Sequence, residues 1–378
     1  MRVVIHNGSR EWRGNEKQTA YIARGLAARG HRVVVACDPE GALWRELERH
    51  GVPLVRERPR GDLDVVSALR FAWRLRRARA DAVLLTSWKR IFWGGWAARR
   101  AGVRRVVVRL GLMRSLPESW KYHVAFRRYV DALIVNSQEV RARWLRSAPW
   151  FPAEAVHLVL NGIEVERPAG GSTLRAELGL GPEVPVIAAV GGLEQRKGFD
   201  LLLAAFARLA VPDARLVIAG SGGEEGRLRA RAEALGVADR VHWLRFRSDI
   251  PNILAGCDVY ASSSRNEGMA VAMLEAMAAG ALVVATEVSG VPEALAAQDG
   301  RPPAGWIVPP EDAEALALAL RRALITARSS PEEAERRRAE ARYRVEAWFG
   351  VERMVEEVER VLFGGDAARP DRYGAWSG

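Results

Sequence analysis

Short apolar runs rich in valine and isoleucine recur along the whole chain, each followed by a longer amphipathic stretch. The runs fall at residues 3–5, 32–36, 54–56, 82–85, 105–109, 132–135 and 156–159, then at 186–190, 215–219, 241–244, 259–261, 282–285 and 306–308. The stretches between them, such as 16–29 and 65–79, carry helical spacing. A strand that is apolar on both faces must be covered on both faces. A helix between successive strands makes them parallel. The rhythm therefore predicts an α/β chain of doubly wound parallel sheets. It breaks once, at 161–185, where Asn161-Gly162, Pro168, Gly170-Gly171, Gly181-Pro182 and Pro185 make a turn-rich stretch. At 378 residues the chain has room for two domains. We expect a first Rossmann-like domain over 1–165 and a second over 166–345. A helix over 346–363 and a disordered tail over 364–378 would follow. Sheets of this kind bind ligands at the C-terminal ends of their strands, so the two domains are expected to face each other across a cleft.

Composition removes several alternatives. The two cysteines, Cys37 and Cys257, are far apart and lack metal-ligand spacing. Neither a disulfide scaffold nor a zinc site is expected. The apolar run after Met1 is a single strand, too short for the core of a secretory signal. The longest apolar stretch, 269–286, is interrupted by Glu275 and Gly280, so it reads as helix, stop and strand rather than a membrane span. A cytoplasmic chain is expected.

The stretch Ser264-Arg265-Asn266-Glu267-Gly268-Met269-Ala270-Val271-Ala272-Met273-Leu274-Glu275-Ala276-Met277-Ala278-Ala279-Gly280 carries the most chemistry. A helix from about Met269 would stop at Gly280, a good residue just beyond a helix end. Glu275 is its one charge among Ala, Val, Leu and Met. A buried carboxylate without a partner costs several kcal/mol, so Glu275 needs donors. A polyhydroxyl ligand supplies them, and so would a neighbouring arginine in a plain core helix. Glu267 and Gly268 precede the helix, whose N-terminus suits an anion such as phosphate.

This stretch resembles the Glu-x7-Glu element of retaining GT-B glycosyltransferases of family 4 (glycosyl transferases group 1). Val190-Gly191-Gly192-Leu193-Glu194-Gln195-Arg196-Lys197-Gly198 resembles that family's loop after the first strand of the second domain, where Arg and Lys grip the donor diphosphate. Lys197 matches, whereas Gly192 stands where the family has Arg, and Arg196, next to Lys197, is expected to take its place. Ala219-Gly220-Ser221-Gly222, Cys257-Asp258-Val259 and Gly290-Val291-Pro292-Glu293 also match. In the first half, Asn161-Gly162-Ile163-Glu164 resembles the family's hinge, and we read it as structural. Val135-Asn136-Ser137 resembles its turn before a helix, with Ser137 as the cap. Trp12-Arg13-Gly14-Asn15-Glu16 occupies its first glycine-rich loop. The family's histidine after the fifth strand falls near Gly111 here, leaving Arg109 or His123 nearby.

The resemblance implies a metal-independent transferase with a nucleotide-sugar as co-substrate and no cofactor. Glu267, Lys197 and Arg196 would be catalytic. Gly14, Gly191, Gly192, Gly220, Gly268, Met269, Ala270 and Glu275 would hold the donor. Asn15, Arg109 and His123 would lie on the acceptor side. Two other readings stand beside this one: different sugar-nucleotide chemistry such as epimerisation, and a silent module that binds saccharide or a partner.

Charge adds a hint about the acceptor. Residues 1–165 hold 31 Lys and Arg against 15 Asp and Glu, while the remainder holds 26 against 31. Nine of the thirteen tryptophans also lie in 1–165. Arg70, Arg74, Arg76, Arg77 and Arg79 share one predicted helix with Phe71 and Trp73. Lys89, Arg90, Phe92, Trp93, Trp96, Arg99 and Arg100 follow. A basic aromatic surface suits an anionic membrane; it also describes a solvated arginine face over core tryptophans. The expected acceptor is an envelope saccharide or lipid-linked saccharide, as in lipopolysaccharide or polysaccharide synthesis. The chain would then work peripherally on the inner face of the membrane. Nucleic acid is not an expected partner.

Overall fold

The structure is a computed structural model that describes residues 1–112, 119–165 and 170–364. It forms two compact units. The first is Met1–Gly162 with the closing helix Val351–Phe363, and the second is Ile163–Gly350. The tail beyond Gly364, expected to be disordered, lies outside the described residues.

The first unit holds β1 (Arg2–Asn7), β2 (Arg32–Cys37), β3 (Leu54–Arg56), β4 (Ala82–Leu85), β5 (Arg105–Leu110), β6 (Ala132–Val135) and β7 (Val156–Leu158). The second holds β8 (Val186–Val190), β9 (Arg215–Ala219), β10 (Val241–Arg245), β11 (Val259–Ser262), β12 (Leu282–Thr286) and β13 (Gly305–Val308). Every one of these strands stands where the valine-rich runs place it. The first sheet runs β3-β2-β1-β4-β5-β6-β7 and the second β10-β9-β8-β11-β12-β13. All pairings are parallel, as Val3 against Val33 and Val259 against Ile187 illustrate. The strand order reverses between β1 and β4 and again between β8 and β11. Those two positions are where a doubly wound sheet opens a crevice at its C-terminal edge.

Both sheets are buried because their strands carry apolar residues on both faces. Val3, Ile5, Val83, Leu84, Val107 and Ile134 fill the first core; Ile187, Leu216, Val217, Val259, Val283 and Val284 fill the second. The end of the chain is two helices, Pro331–Trp348 and Val351–Phe363, the second starting five residues after the expected 346. The closing helix buries Met354, Val355, Val358, Val361 and Leu362 in the core of the first unit. Val355 meets the helix Gly14–Ala28 at Gly25, where a β-carbon would overlap the valine methyls. Ser137 caps its helix as expected, its Oγ accepting from the Val140 amide at 3.3 Å.

Candidate active site

Lys197 and Glu267 meet at the reversal point of the second sheet. The loop leaving β8 runs through Gly191 to a short 3-10 turn, Gln195–Lys197. The loop leaving β11 runs from Ser263 to Ala270 before the helix Val271–Ala279. The Arg265 amide donates to the Arg196 carbonyl at 2.8 Å, and Ser263 Oγ donates to the Lys197 carbonyl at 3.1 Å. Gly198 makes this contact possible. Its φ of 63° is left-handed, and a β-carbon there would lie inside the contact distance of the Ser263 carbonyl oxygen. The Arg265 guanidinium clamps the base of the site, donating to Asp200 at 2.6 and 3.0 Å and pairing with Glu311.

The geometry at Glu267 is that of a buried, fully addressed carboxylate. Lys197 Nζ donates to its Oε1, Ser264 Oγ donates to the same oxygen at 3.2 Å, and Arg196 Nη1 lies 3.4 Å from Oε2. Arg196 also donates through Nε to Glu194 at 2.7 Å. Burial pushes the Glu267 carboxyl up. The charges of Lys197 and Arg196 and the hydrogen bonds from Lys197 and Ser264 outweigh it, holding the group below the usual carboxylate range. Tyr260 lies buried on β11 between the fields of Glu267 and Glu275. Burial first, and those two charges next, push its phenol well above its ordinary value.

Gly191, Gly192, Gly220, Gly268, Met269, Ala270 and Glu275 all belong to the loops and first turns at this same edge. The Gly191 and Gly220 backbones touch so closely that a β-carbon on Gly220 would overlap the Gly191 carbonyl, which presses the first two loops together. Gly268 is similarly backed by Gly290. Gly192 faces open space, with Glu194 and Ser221 the nearest groups to its would-be β-carbon. Arg196 is the second cation beside Glu267. The helix after Ala270 ends at Gly280 with φ 83°, as the sequence predicts. Glu275 corrects one expectation: it is half-buried, not sealed inside a core helix, because its neighbours Val271, Ala272 and Ala279 also sit on a partly open face.

The remaining candidates belong to the first unit. Gly14 opens the helix Gly14–Ala28, and Asn15 follows it. Arg109 projects from β5 and is 1% exposed, so it has no face to offer an acceptor. Its guanidinium donates to Asn161 Oδ1 at 2.6 Å and to Asn15 Oδ1 at 3.4 Å. Burial pushes that guanidinium down to about 10, against the opposing charge of Glu16. Arg109 is a positioning residue for the Asn15 loop and for the Asn161-Gly162 turn. His123 lies apart from it, on the helix Trp120–Arg128, with its ring 5.5 Å from Trp150.

Sequence reading passed over two participants: Ser264, which donates to Glu267, and Asp200, which holds Arg265 of the same loop. Ser264 was within reach, because a hydroxyl three residues before a buried carboxylate in a tight loop is a ready donor. Glu16, 3% exposed and raised by burial, was also missed; it accepts from Asn7 Nδ2 and Asn15 Nδ2, each at 3.3 Å. Among the described residues no group of three His, Cys, Asp or Glu is placed to hold a metal ion.

Comparison with known proteins gives the family. Residues 12–167 match the model of Glycosyltransferase Family 4, and residues 172–344 match that of Glycosyl transferases group 1. The chain is similar to the D-inositol 3-phosphate glycosyltransferase of Segniliparus rotundus, with 34% identity over 44% of this chain and 39% of that protein. It is also similar to the GDP-mannose-dependent alpha-(1-6)-phosphatidylinositol monomannoside mannosyltransferase of Mycolicibacterium smegmatis, with 31% identity over 60% of this chain and 62% of that one. The match thus spans about two fifths of the first relative and under two thirds of the second. Among solved structures, Anabaena HepE in complex with UDP-glucose superposes with a TM-score of 0.82 at 22% identity, covering 96% of this chain and all of that one. WaaG, a glycosyltransferase involved in lipopolysaccharide biosynthesis, superposes with a TM-score of 0.71 at 19% identity over 96% of this chain and 100% of its own. Two sheets with the same order reversal, and family matches over both halves, place the chain among the GT-B glycosyltransferases of group 1 and family 4.

Proposed function

We propose that the protein transfers a sugar, with retention of anomeric configuration, from a nucleotide-sugar to an envelope saccharide or lipid-linked acceptor. The observation that carries this is the Lys197–Glu267 pair at the β8/β11 reversal, with Arg196 beside it. Two cations and the N-terminus of a helix there answer a diphosphate. Glu275, half-open on the first turns of the same helix, would take the ribose hydroxyls. Glu267 would meet hydroxyls of the donor sugar.

The bond from the anomeric carbon to the phosphate oxygen breaks, and a bond to the acceptor oxygen forms. Negative charge develops on the leaving diphosphate. Lys197, Arg196 and the amides near Gly268–Ala270 would meet that charge in fixed positions, which is the most effective place for stabilisation. The acceptor proton would pass to the leaving phosphate oxygen. With that charge met by protein groups, the reaction would proceed without a metal. The first unit would hold the acceptor.

Incubation with UDP-, GDP- and ADP-sugars in EDTA, with a panel of saccharide and lipid-linked acceptors, tests the proposal. The expected result is nucleotide release with one donor and a product whose anomeric proton coupling matches the donor's. Inverted product contradicts retention. Binding of saccharide without any turnover returns the silent-module reading.

A further inference from the structure

A buried carboxylate with one oxygen unmet lies at the C-terminal edge of the first sheet. Asp62 sits in the loop between β3 and the helix Val65–Arg77. Its side chain is 6% exposed, and its Oδ2 accepts from Lys121 Nζ at 2.6 Å. Its Oδ1 is buried as well, and among the described residues no group donates to it. Such an oxygen calls for a donor from outside the chain. Lys121 belongs to the first turn of the helix Trp120–Arg128, which follows β5 and so begins at the same edge. The hydrogen bond to Asp62 raises the Lys121 ammonium above its ordinary value, so the group stays charged. An ammonium has three donors, and Asp62 takes one. Trp120 opens that helix and is 61% exposed, with the Phe92 ring meeting its own nearly at a right angle, 5.5 Å between centres. The other cation whose charge bears on Lys121 is Arg90. Its two terminal nitrogens already donate to the Lys89 and Pro59 carbonyls, at 2.9 and 3.2 Å.

The chemistry of this corner selects its ligand. A hydroxyl can donate to the unmet carboxylate oxygen, and a neighbouring oxygen of the same molecule can accept from the ammonium. A carboxylate or a phosphate dianion has no proton to give Asp62 Oδ1 and is repelled by it. Arg90 does not reverse that preference, because its terminal donors are spent on backbone. A single exposed tryptophan is ordinary on a protein surface. Beside a carboxylate that lacks a donor, its ring offers the flat apolar wall on which the C–H face of a pyranose packs. The position also fits, since the β1/β4 reversal opens the first sheet's crevice at this edge. We propose that Asp62, Lys121 and Trp120 form a subsite for an uncharged pyranose of the acceptor. One sugar hydroxyl donates to Asp62 Oδ1, a second sugar oxygen accepts from Lys121 Nζ, and the ring face lies on Trp120. That the bound sugar is an acceptor rests on the transferase reading; the saccharide binding does not.

Saturation-transfer NMR of the full chain with the methyl glycosides of glucose, mannose, galactose and N-acetylglucosamine, without nucleotide, tests this. The wild type is expected to bind at least one of them. Asp62→Asn keeps the size of the side chain. Lys121 claims the amide oxygen there, which leaves an N–H where the sugar hydroxyl must donate, so binding should weaken at least tenfold. Trp120→Ala should weaken it as much, at a position already in water that leaves the Asp62–Lys121 pair in place and spares folding. Glucose 6-phosphate should bind no more tightly than methyl glucoside. A wild type that binds none of the glycosides overturns the proposal and leaves Oδ1 to water. So does either variant binding as tightly as the wild type, which would put the sugar elsewhere. Tighter binding of glucose 6-phosphate than of methyl glucoside also overturns it, since the subsite would then read charge. Nucleotide release on adding UDP-, GDP- and ADP-sugars to the bound glycoside, measured alongside, tests the transferase reading separately: binding without release keeps the subsite and sinks that reading.

Discussion

Lys197→Ala is expected to lower kcat for sugar transfer by about 10²–10³-fold, on the order of 3–4 kcal/mol of lost transition-state stabilisation. The ammonium group answers a charge that appears on the leaving diphosphate, so the loss should fall on kcat more than on KM. Lys197→Arg keeps the charge and should recover part of the rate. The substitution also removes the strongest partner of a buried carboxylate. In the wild type the Glu267 carboxyl is depressed, so it contributes stability above the ordinary carboxylate range and loses it as pH falls through its folded value. In Lys197→Ala, burial is opposed only by Arg196 and Ser264, and the carboxyl rises. The variant's stability deficit should therefore be largest near neutral pH and shrink as the solution is acidified. Urea unfolding at several pH values, beside steady-state rates, checks both halves. A deficit independent of pH would mean that Lys197 does not serve Glu267.

Gly198→Ala is expected to destabilise the second unit and to impair the site without removing any functional group. Its left-handed backbone costs a residue with a β-carbon roughly 1–2 kcal/mol. The overlap with the Ser263 carbonyl adds to that, because the obstacle is backbone rather than a flexible side chain. A loss of at least about 2 kcal/mol follows, or roughly 4–8 °C in Tm for a unit of this size. Relief requires the β8 and β11 loops to part, which draws Lys197 and Arg196 away from Glu267. Calorimetry together with nucleotide affinity distinguishes this from simple strain: both should fall. Unchanged affinity in a less stable variant would show that the loop contact does not set the site.

Much of this molecule was legible in its residues for a simple reason. Runs such as Val106-Val107-Val108 and Val283-Val284 are apolar on both faces, and only a strand covered on both sides uses them. The Glu-x7-Glu stretch and Lys197 stood out through their resemblance to the family's elements, and the structure brings Lys197 and Glu267 together past the ends of β8 and β11. What stayed hidden depends on partners remote in sequence. Arg109 follows three valines in β5, and nothing local reveals that Asn161 buries its guanidinium. Glu275 looked sealed because alanine and methionine are at home at any depth, so composition alone does not say which side of a helix is open. The basic helix over 65–77 hid its most telling feature. Phe71 and Trp73 are two residues apart and read as one aromatic surface, yet Phe71 is 1% exposed and Trp73 points into water. The valines and leucine beside Trp73, which look like core residues in the sequence, are the exposed ones.

The most direct test of the donor site is thermal unfolding of the wild type and Glu275→Ala with UDP, GDP and ADP, each in EDTA. A nucleotide at about a hundredfold its Kd should stabilise the wild type by roughly 2.7 kcal/mol. The account predicts a clear rise in Tm with one of the three and its loss in Glu275→Ala. A folded wild type that responds to none of them, or a Glu275→Ala variant that responds in full, would contradict it.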